Sequence, residues 1–234
     1  MKRAPTSFLS APNAGLVHRW QEQNRFLTMM VVAFVIFALL HALDAWAWHF
    51  FRNPEWKAAR WYWALRQVGS LPIWFIAAGV LVAIDAWRRP RSAECVRAGW
   101  PSDIWQRAKL LILSAGLSGL AAELFKYIIA RERPVADGLD LYQGHVFRMP
   151  LSGFWDASNL GLPSSHTAVA FGGAFALARL VPGSRPIVIL LALGCAWTRL
   201  IAGAHFLTDV FGGIVLAYAV MVMLQVPRLR RCPA

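Results

Sequence analysis

An all-α, polytopic membrane protein with six transmembrane helices is the fold class the sequence predicts, and three observations carry that expectation. Of the 234 residues, 58% are apolar and only 15% charged, against roughly 45–50% and 25% in an ordinary soluble domain. Six stretches poor in charge run along the chain, and at about 20 residues per bilayer crossing they occupy roughly half of it. The 12 tryptophans fit the aromatic belts that membrane proteins place at headgroup depth.

Residues 1–26 are polar, carry Lys2, Arg3, Arg19 and Arg25, and read as a cytoplasmic N-terminal segment. The apolar run that follows, Leu27 to Trp48, is too long for a signal-peptide core and reads as a retained anchor. Arg52 to Arg66 interleaves Trp56, Trp61, Tyr62 and Trp63 with Lys57, Arg60 and Arg66, as an amphipathic helix lying in the interface does. Further spans are expected over Val68–Trp87, Lys109–Ile129, Thr167–Val181, Ile187–Ala204 and Phe206–Val226. Between the third and fourth, Val135 to Leu162 carries Gly138, Gly144, Pro150, Gly153 and Gly161 and reads as a long outer loop. Residues 27–226 thus form one six-helix domain, and 227–234 a basic cytoplasmic tail.

The net charge of +12 comes from 24 basic and 12 acidic residues, a balance that by itself admits nucleic acid, anionic lipid or an anionic substrate. The cations are scattered between apolar spans, without a Lys/Arg tract, zinc-finger spacing or the aromatic-basic strand of an RNA reader, so nucleic acid is not an expected partner. With a cytoplasmic N-terminus, 15 cations fall on inside segments and 9 on outside segments, which favours N-in and C-in. Cys95, Cys195 and Cys232 have neither paired spacing nor neighbouring histidines, so no disulfide framework or zinc site is expected. Cys95 and Cys232 then face the reducing cytoplasm.

Ionisable residues in or beside membrane spans are costly, and each is a functional question by default. They form three groups. In the first, "KYIIARERP", Lys126 and Arg133 are seven residues apart, so two helical turns put both on one face until Pro134 ends the helix. In the second, Pro163, Ser164, Ser165 and His166 open an apolar run, where unpaired backbone N–H groups and the positive end of a helix dipole make an anion site. In the third, "TRLIAGAHFLTD", His205 and Asp209 are four apart and share a face if helical. Arg199 adds a cation, and Gly203 permits a bend between the last two spans.

All three groups fall on the outside face under this topology. Lys126, Arg133 and Arg199 around helix-start amides suit a dianionic tetrahedral group such as phosphate, whose charge is spread over several oxygens. His205 can attack phosphorus if Asp209 fixes its other nitrogen, and His166 can protonate the leaving oxygen and later take a proton from water. No metal-ligand triplet is spaced along the sequence, so metal-independent chemistry without a cofactor is expected. No nucleotide-binding motif is present, and ATP use is not expected.

At these segments the chain resembles the type-2 phosphatidic acid phosphatase superfamily, whose signature is Lys-x6-Arg-Pro, Pro-Ser-Gly-His and Ser-Arg-x5-His-x3-Asp. Lys126, Arg133 and Pro134, then Pro163, Ser164 and His166, then Arg199, His205 and Asp209 match in order and spacing. The resemblance implies that Lys126, Arg133, Ser164 and Arg199, with the amides of Ser165 and His166, bind phosphate. It further implies that His205 forms a phosphohistidine, with Asp209 as its partner and His166 as the general acid. Ser165 stands where the family has glycine, which narrows the pocket and is expected to strain the backbone. Thr198 replaces a serine and keeps the hydroxyl.

The implied protein is a lipid phosphatase of the cytoplasmic membrane with its active site at the outer surface. Phosphatidic acid, phosphatidylglycerophosphate, undecaprenyl diphosphate and lipid A are the substrates of such family members. A lipid phosphotransferase using the same phosphohistidine is one rival, and a non-catalytic phosphate-lipid binding or transport protein another. The haloperoxidase branch is disfavoured by the spans. Glu123 is expected to pair with Lys126 one turn away, and Asp44 and His41 either touch a head group or bond another helix. Asp85 is expected to pair with Arg88 or Arg89. His145, Tyr142, Phe147, Phe154 and Trp155 lie in the outer loop at a depth where aromatic residues collect.

Overall fold

The computed structural model describes residues 14–88, 103–135, 141–152 and 159–224. Among the described residues, seven α-helices run in order: α1 Ala14–Phe51, α2 Arg60–Gln67, α3 Leu71–Arg88, α4 Asp103–Ile129, α5 Ser165–Leu180, α6 Arg185–Ile201 and α7 Leu207–Met223. Short 3-10 turns, Pro54–Ala58 and Pro182–Ser184, precede α2 and α6. Among the described residues there is no strand, only the isolated bridges Arg131 to Phe147, Glu132 to Leu160 and Val135 to Tyr142. The all-α class expected from the sequence is the class found.

The chain divides into two compact units, Met1–Leu39 and Leu40–Ala234. In the first, α1 presents apolar side chains outward, Phe34 and Leu39 among them, as a helix facing lipid does. In the second, α5 packs against α4, α6 and α7, and α3 lies on α4. Small residues make this close approach possible. A Cβ at Gly172 would stand 2.5 Å from Ser118 Oγ, and one at Gly173 2.2 Å from the Trp74 ring. Ser114 Oγ donates to the Gly172 carbonyl at 2.7 Å, an interhelical bond of the kind worth about 0.6–2 kcal/mol in a membrane setting. The core around it is built from Leu111, Ala115, Ala170, Phe171, Ala174 and Ala192.

Among the described residues, three helical segments are long and apolar enough to cross a membrane: Leu27–Phe51, Ile104–Ile129 and Pro182–Ile201. A fourth is reached if α2 and α3, bent by 68° at their junction, are counted as one broken span. The remaining two expected spans coincide with α5, of 16 residues, and α7, of 17, both shorter than the roughly 20 residues of a straight crossing. Between Arg52 and Arg66 the chain forms a 3-10 turn and the short α2 rather than one continuous helix. Its Tyr62 is buried, and α2 packs on α6.

Helix α4 differs from expectation at its end. It stops at Ile129, five residues before Pro134, because Ala130 turns left-handed at φ 51° and donates its N–H to the Lys126 carbonyl at 2.7 Å. Lys126 and Arg133 therefore do not share a helix face. Arg133 stands on the extended segment beyond, clamped by its own N–H to the Asn159 carbonyl at 2.9 Å and by Glu132 N–H to the Val146 carbonyl at 2.9 Å. Cys95, Cys232, Arg89, Phe154 and Trp155, and the two terminal segments 1–13 and 225–234, lie outside the described residues, as do the side chains of Asp85 and Arg88.

Candidate active site

Three chain corners meet. The α4 end supplies Lys126, Arg131 and Arg133, the α5 start supplies Ser164 to His166, and the α6–α7 turn supplies Arg199, His205 and Asp209. Ser164 N–H donates to the Asp209 carbonyl at 2.9 Å, and Gly161 N–H to the Arg131 carbonyl at 2.7 Å. Backbone bonds thus tie the second and third corners to each other, and the approach to the second to the first. Gly161 lies so close that a Cβ on it would stand 3.1 Å from Asp209 Oδ2.

His205 precedes α7 instead of lying in it, which corrects the expectation of a shared helix face. Phe206 occupies the N-cap and Asp209 the third helical position, where its Oδ2 accepts the Phe206 N–H at 2.8 Å. This contact, the carboxylate half of a capping box, fixes the carboxylate and brings Oδ2 within 3.4 Å of His205 Nδ1. That is long for a formed hydrogen bond, and Nδ1 is buried with no bond of its own; such contacts commonly tighten once a ligand is bound. The bend before it is made by Gly203 at φ +64°, beneath the Trp48 indole, whose Nε1 donates to the Gly203 carbonyl at 3.2 Å.

Asp209 is fully buried, and its Oδ1 accepts from Arg131 Nη2. Arg131 Nη2 also donates to Thr208 Oγ1 at 2.7 Å. Asp44 on α1 completes the network: Oδ1 accepts the Thr208 N–H at 3.0 Å, and Oδ2 accepts the Thr208 hydroxyl and faces His145 Nε2 at 3.0 Å. Asp44 therefore bonds another helix, the second of its two expected roles. Arg131 was legible only as one more outside cation, and nothing in its spacing marks a buried partner 78 residues away.

His41, Asp44 and His145 bring ligand-type atoms within 4.8 Å of one another, a grouping that sequence spacing does not reveal. Asp44 already accepts the bonds just described, and Arg131 Nη1 lies 3.9 Å from its Oδ2. A carboxylate so engaged, with a buried guanidinium beside it, fits a positioning role better than a cation site.

Ser164 is buried at the N-cap of α5, yet its hydroxyl makes no capping bond; it accepts from Thr167 Oγ1 at 3.1 Å. Ser165 begins α5 and is not among the described non-glycine residues with positive φ, so the backbone is not strained there as expected. Its hydroxyl donates to Glu123 Oε1, which also pairs with Lys126 Nζ at 2.9 Å. The expected Glu123–Lys126 pair is present, and this one carboxylate engages the Lys126 ammonium, expected to bind phosphate, and the Ser165 hydroxyl. Thr198 donates its hydroxyl to the Cys195 carbonyl at 2.6 Å.

Arg133 and Arg199 each keep a buried Nε without a hydrogen-bond partner. Buried donors of that kind are unfavourable unless an acceptor joins them. Burial, first, pushes the His205 imidazolium down to about 4, with Arg199 and Arg133 acting the same way against Asp209. His166, half-buried in the first turn of α5, is pushed down to about 3, by burial and then by Arg199, Arg66, His205 and Lys126. Burial and the surrounding cations thus favour the neutral form of both imidazoles.

The fold and site together define a class: a helical protein with segments long and apolar enough to cross a membrane, whose polar centre gathers three cations, two histidines and a buried carboxylate. The chain belongs to the PAP2 superfamily, whose family model matches residues 107–231. It is similar to the Lipid A 1-phosphatase of Rhizobium etli, 39% identical over 106 residues that make up 44% of this chain and 43% of that protein. A Lipid A 1-phosphatase of Rhizobium johnstonii is 38% identical over 106 residues, 44% of this chain and 41% of its own. The match thus spans less than half the length of these curated relatives. No solved structure matches the chain.

Proposed function

We propose that the protein is a multi-pass lipid phosphatase of the cytoplasmic membrane that hydrolyses a phosphate from a lipid of the lipid A type, through a phosphohistidine on His205. The observation that carries this reading is the pair of unpartnered guanidinium nitrogens, on Arg133 and Arg199, beside a buried His205 that faces Asp209. The substrate class rests on the two relatives named for lipid A 1-phosphate hydrolysis, and on an apolar body that leaves a lipid's acyl chains in the bilayer while its phosphate reaches the site.

In the proposed reaction, Lys126, Arg133, Ser164 and Arg199, with the Ser165 and His166 amides, hold the phosphate oxygens. His205 Nε2 attacks phosphorus as the bond to the lipid oxygen breaks, and His166 gives that oxygen its proton. The anion's own charge raises the proton affinity of His166, which lets it serve as the acid. Water then attacks phosphorus, the N–P bond breaks, and His166 takes the proton. Asp209 orients the imidazole and offsets the positive charge that forms on it. No metal enters this scheme, and the six-span, N-in arrangement puts the site on the outer side.

The test is phosphate release in detergent from lipid A 1-phosphate, phosphatidic acid, phosphatidylglycerophosphate and undecaprenyl diphosphate, with wild type and His205→Ala in parallel and chelator present. Release by wild type alone, greatest with lipid A, is the expected result. Equal release by both proteins, or none from any lipid, defeats the reading.

A further inference from the structure

Arg66 lies in the last turn of α2, in the segment expected only to lie along the interface, and belongs to none of the three motif groups. Its Nε is buried without a hydrogen-bond partner, as are those of Arg107, Arg131, Arg133 and Arg199; what sets Arg66 apart is its place beside the start of α5. The α2–α3 corner that carries it is pressed onto the start of α5. Gly69, whose N–H donates to the Arg66 carbonyl at 3.0 Å, is so close that a Cβ there would stand 2.7 Å from the His166 carbonyl and 2.8 Å from Cys195 Sγ. Cys195, one turn before Arg199, donates its thiol to the same Arg66 carbonyl at 3.7 Å. On its other side the Arg66 guanidinium lies over the Trp63 ring, 5.0 Å from its centroid, which limits its rotamers.

Arg66 is also near enough to act on both His166 and Arg199, and on His166 its influence exceeds that of Lys126. A held guanidinium with a buried free donor, set among like charges, lacks an anion.

We propose that Arg66 is a fourth cationic ligand of the substrate phosphate, gripping a non-bridging oxygen on the His166 side, where the lipid oxygen leaves. The assignment rests on the phosphatase reading above and adds a residue from α2 to a site otherwise drawn from α4 to α7. A ligand on that side restrains the phosphate as the leaving bond lengthens, so it acts on the transition state as well as on binding.

Vanadate, a phosphate analogue, is titrated into purified wild type, Arg66→Ala, Arg66→Gln and Arg66→Lys in detergent, and lipid phosphate hydrolysis is followed in parallel. Arg66→Ala and Arg66→Gln are expected to weaken vanadate by about tenfold or more and to lower kcat/KM by more than that, with partial rescue in Arg66→Lys. Their vanadate-free thermal midpoints should equal or exceed the wild-type value, because a like-charge neighbour of Arg199 is gone. Vanadate affinity within twofold of wild type in both neutral variants overturns the assignment, as does a wild type that binds no vanadate. A wild type that binds vanadate but releases no phosphate defeats the phosphatase reading and leaves Arg66 to be judged by binding alone. If Arg66→Ala does not fold, Arg66→Gln and Arg66→Lys decide.

Discussion

Arg131 Nη2 donates to Asp209 Oδ1, while the other oxygen of that carboxylate faces His205. The carboxylate is thus gripped from one side by a guanidinium only 1% exposed and presented to the imidazole from the other. Breaking a buried pair by removing one partner typically costs about 3–5 kcal/mol. Arg131→Met should therefore lower the thermal midpoint by several degrees and reduce kcat with little change in KM. An unchanged kcat in folded protein would show that the grip does not matter to turnover.

Asp209→Asn keeps the shape of the side chain but removes the charge facing Nδ1 and presents an NH2 where Arg131 or Phe206 N–H now donates. A fall in kcat of about 10²-fold or more, with vanadate affinity changed far less, is the expected pattern. A pure binding defect in steady-state and titration data would remove the role assigned to Asp209.

Glu123 holds Lys126 and Ser165 before any phosphate arrives. An incoming dianion must compete with a half-exposed carboxylate for the Lys126 ammonium. Glu123→Gln is expected to lower KM and tighten vanadate binding severalfold, an effect that weakens with added salt. Weaker binding in this variant would mean that Glu123 positions Lys126 rather than competes for it.

His205 titrates at about 4 in the folded protein against an ordinary 6.5, so the unfolded chain binds a proton that the folded one refuses. The stability this contributes is whole above about pH 6.5 and declines as pH falls toward 4. Thermal midpoints in detergent should drop between pH 7 and pH 4.5, and by less in His205→Gln. Parallel curves for the two proteins would contradict a buried neutral imidazole.

Chelator should leave hydrolysis intact. Activity lost to chelator and restored by a divalent ion would overturn the metal-free scheme and return attention to His41, Asp44 and His145.

Charge is so sparse in this chain that its polar groups announced themselves. Lys126, Arg133, Ser164, His166, Arg199, His205 and Asp209 were all legible from motif spacing, and the structure brings the corners that carry them together. Helical periodicity misled at two of those corners because tertiary bonds override it. Ala130 leaves α4 left-handed, held by Lys126 and by Arg148 N–H to its carbonyl at 2.9 Å. His205 stays outside α7 because Phe206 takes the cap. Span lengths were legible as apolar runs, but α5 and α7 come out short, and α5 buries itself among three other helices. Asp44 and Thr208, 164 residues apart, illustrate what local pattern cannot carry: their pairing exists only once α1 and α7 are side by side.

That pairing makes α1 more than an anchor. A carboxylate on the first helix satisfies the second N–H of the helix that bears Asp209, so the element that would moor the chain is also a component of its proposed reaction centre. Modularity then has a boundary inside one helix. A foreign membrane anchor grafted ahead of residue 40 leaves Asp44, Trp48 and their partners intact, whereas one that replaces the helix through Phe51 removes a joint of the site along with the mooring.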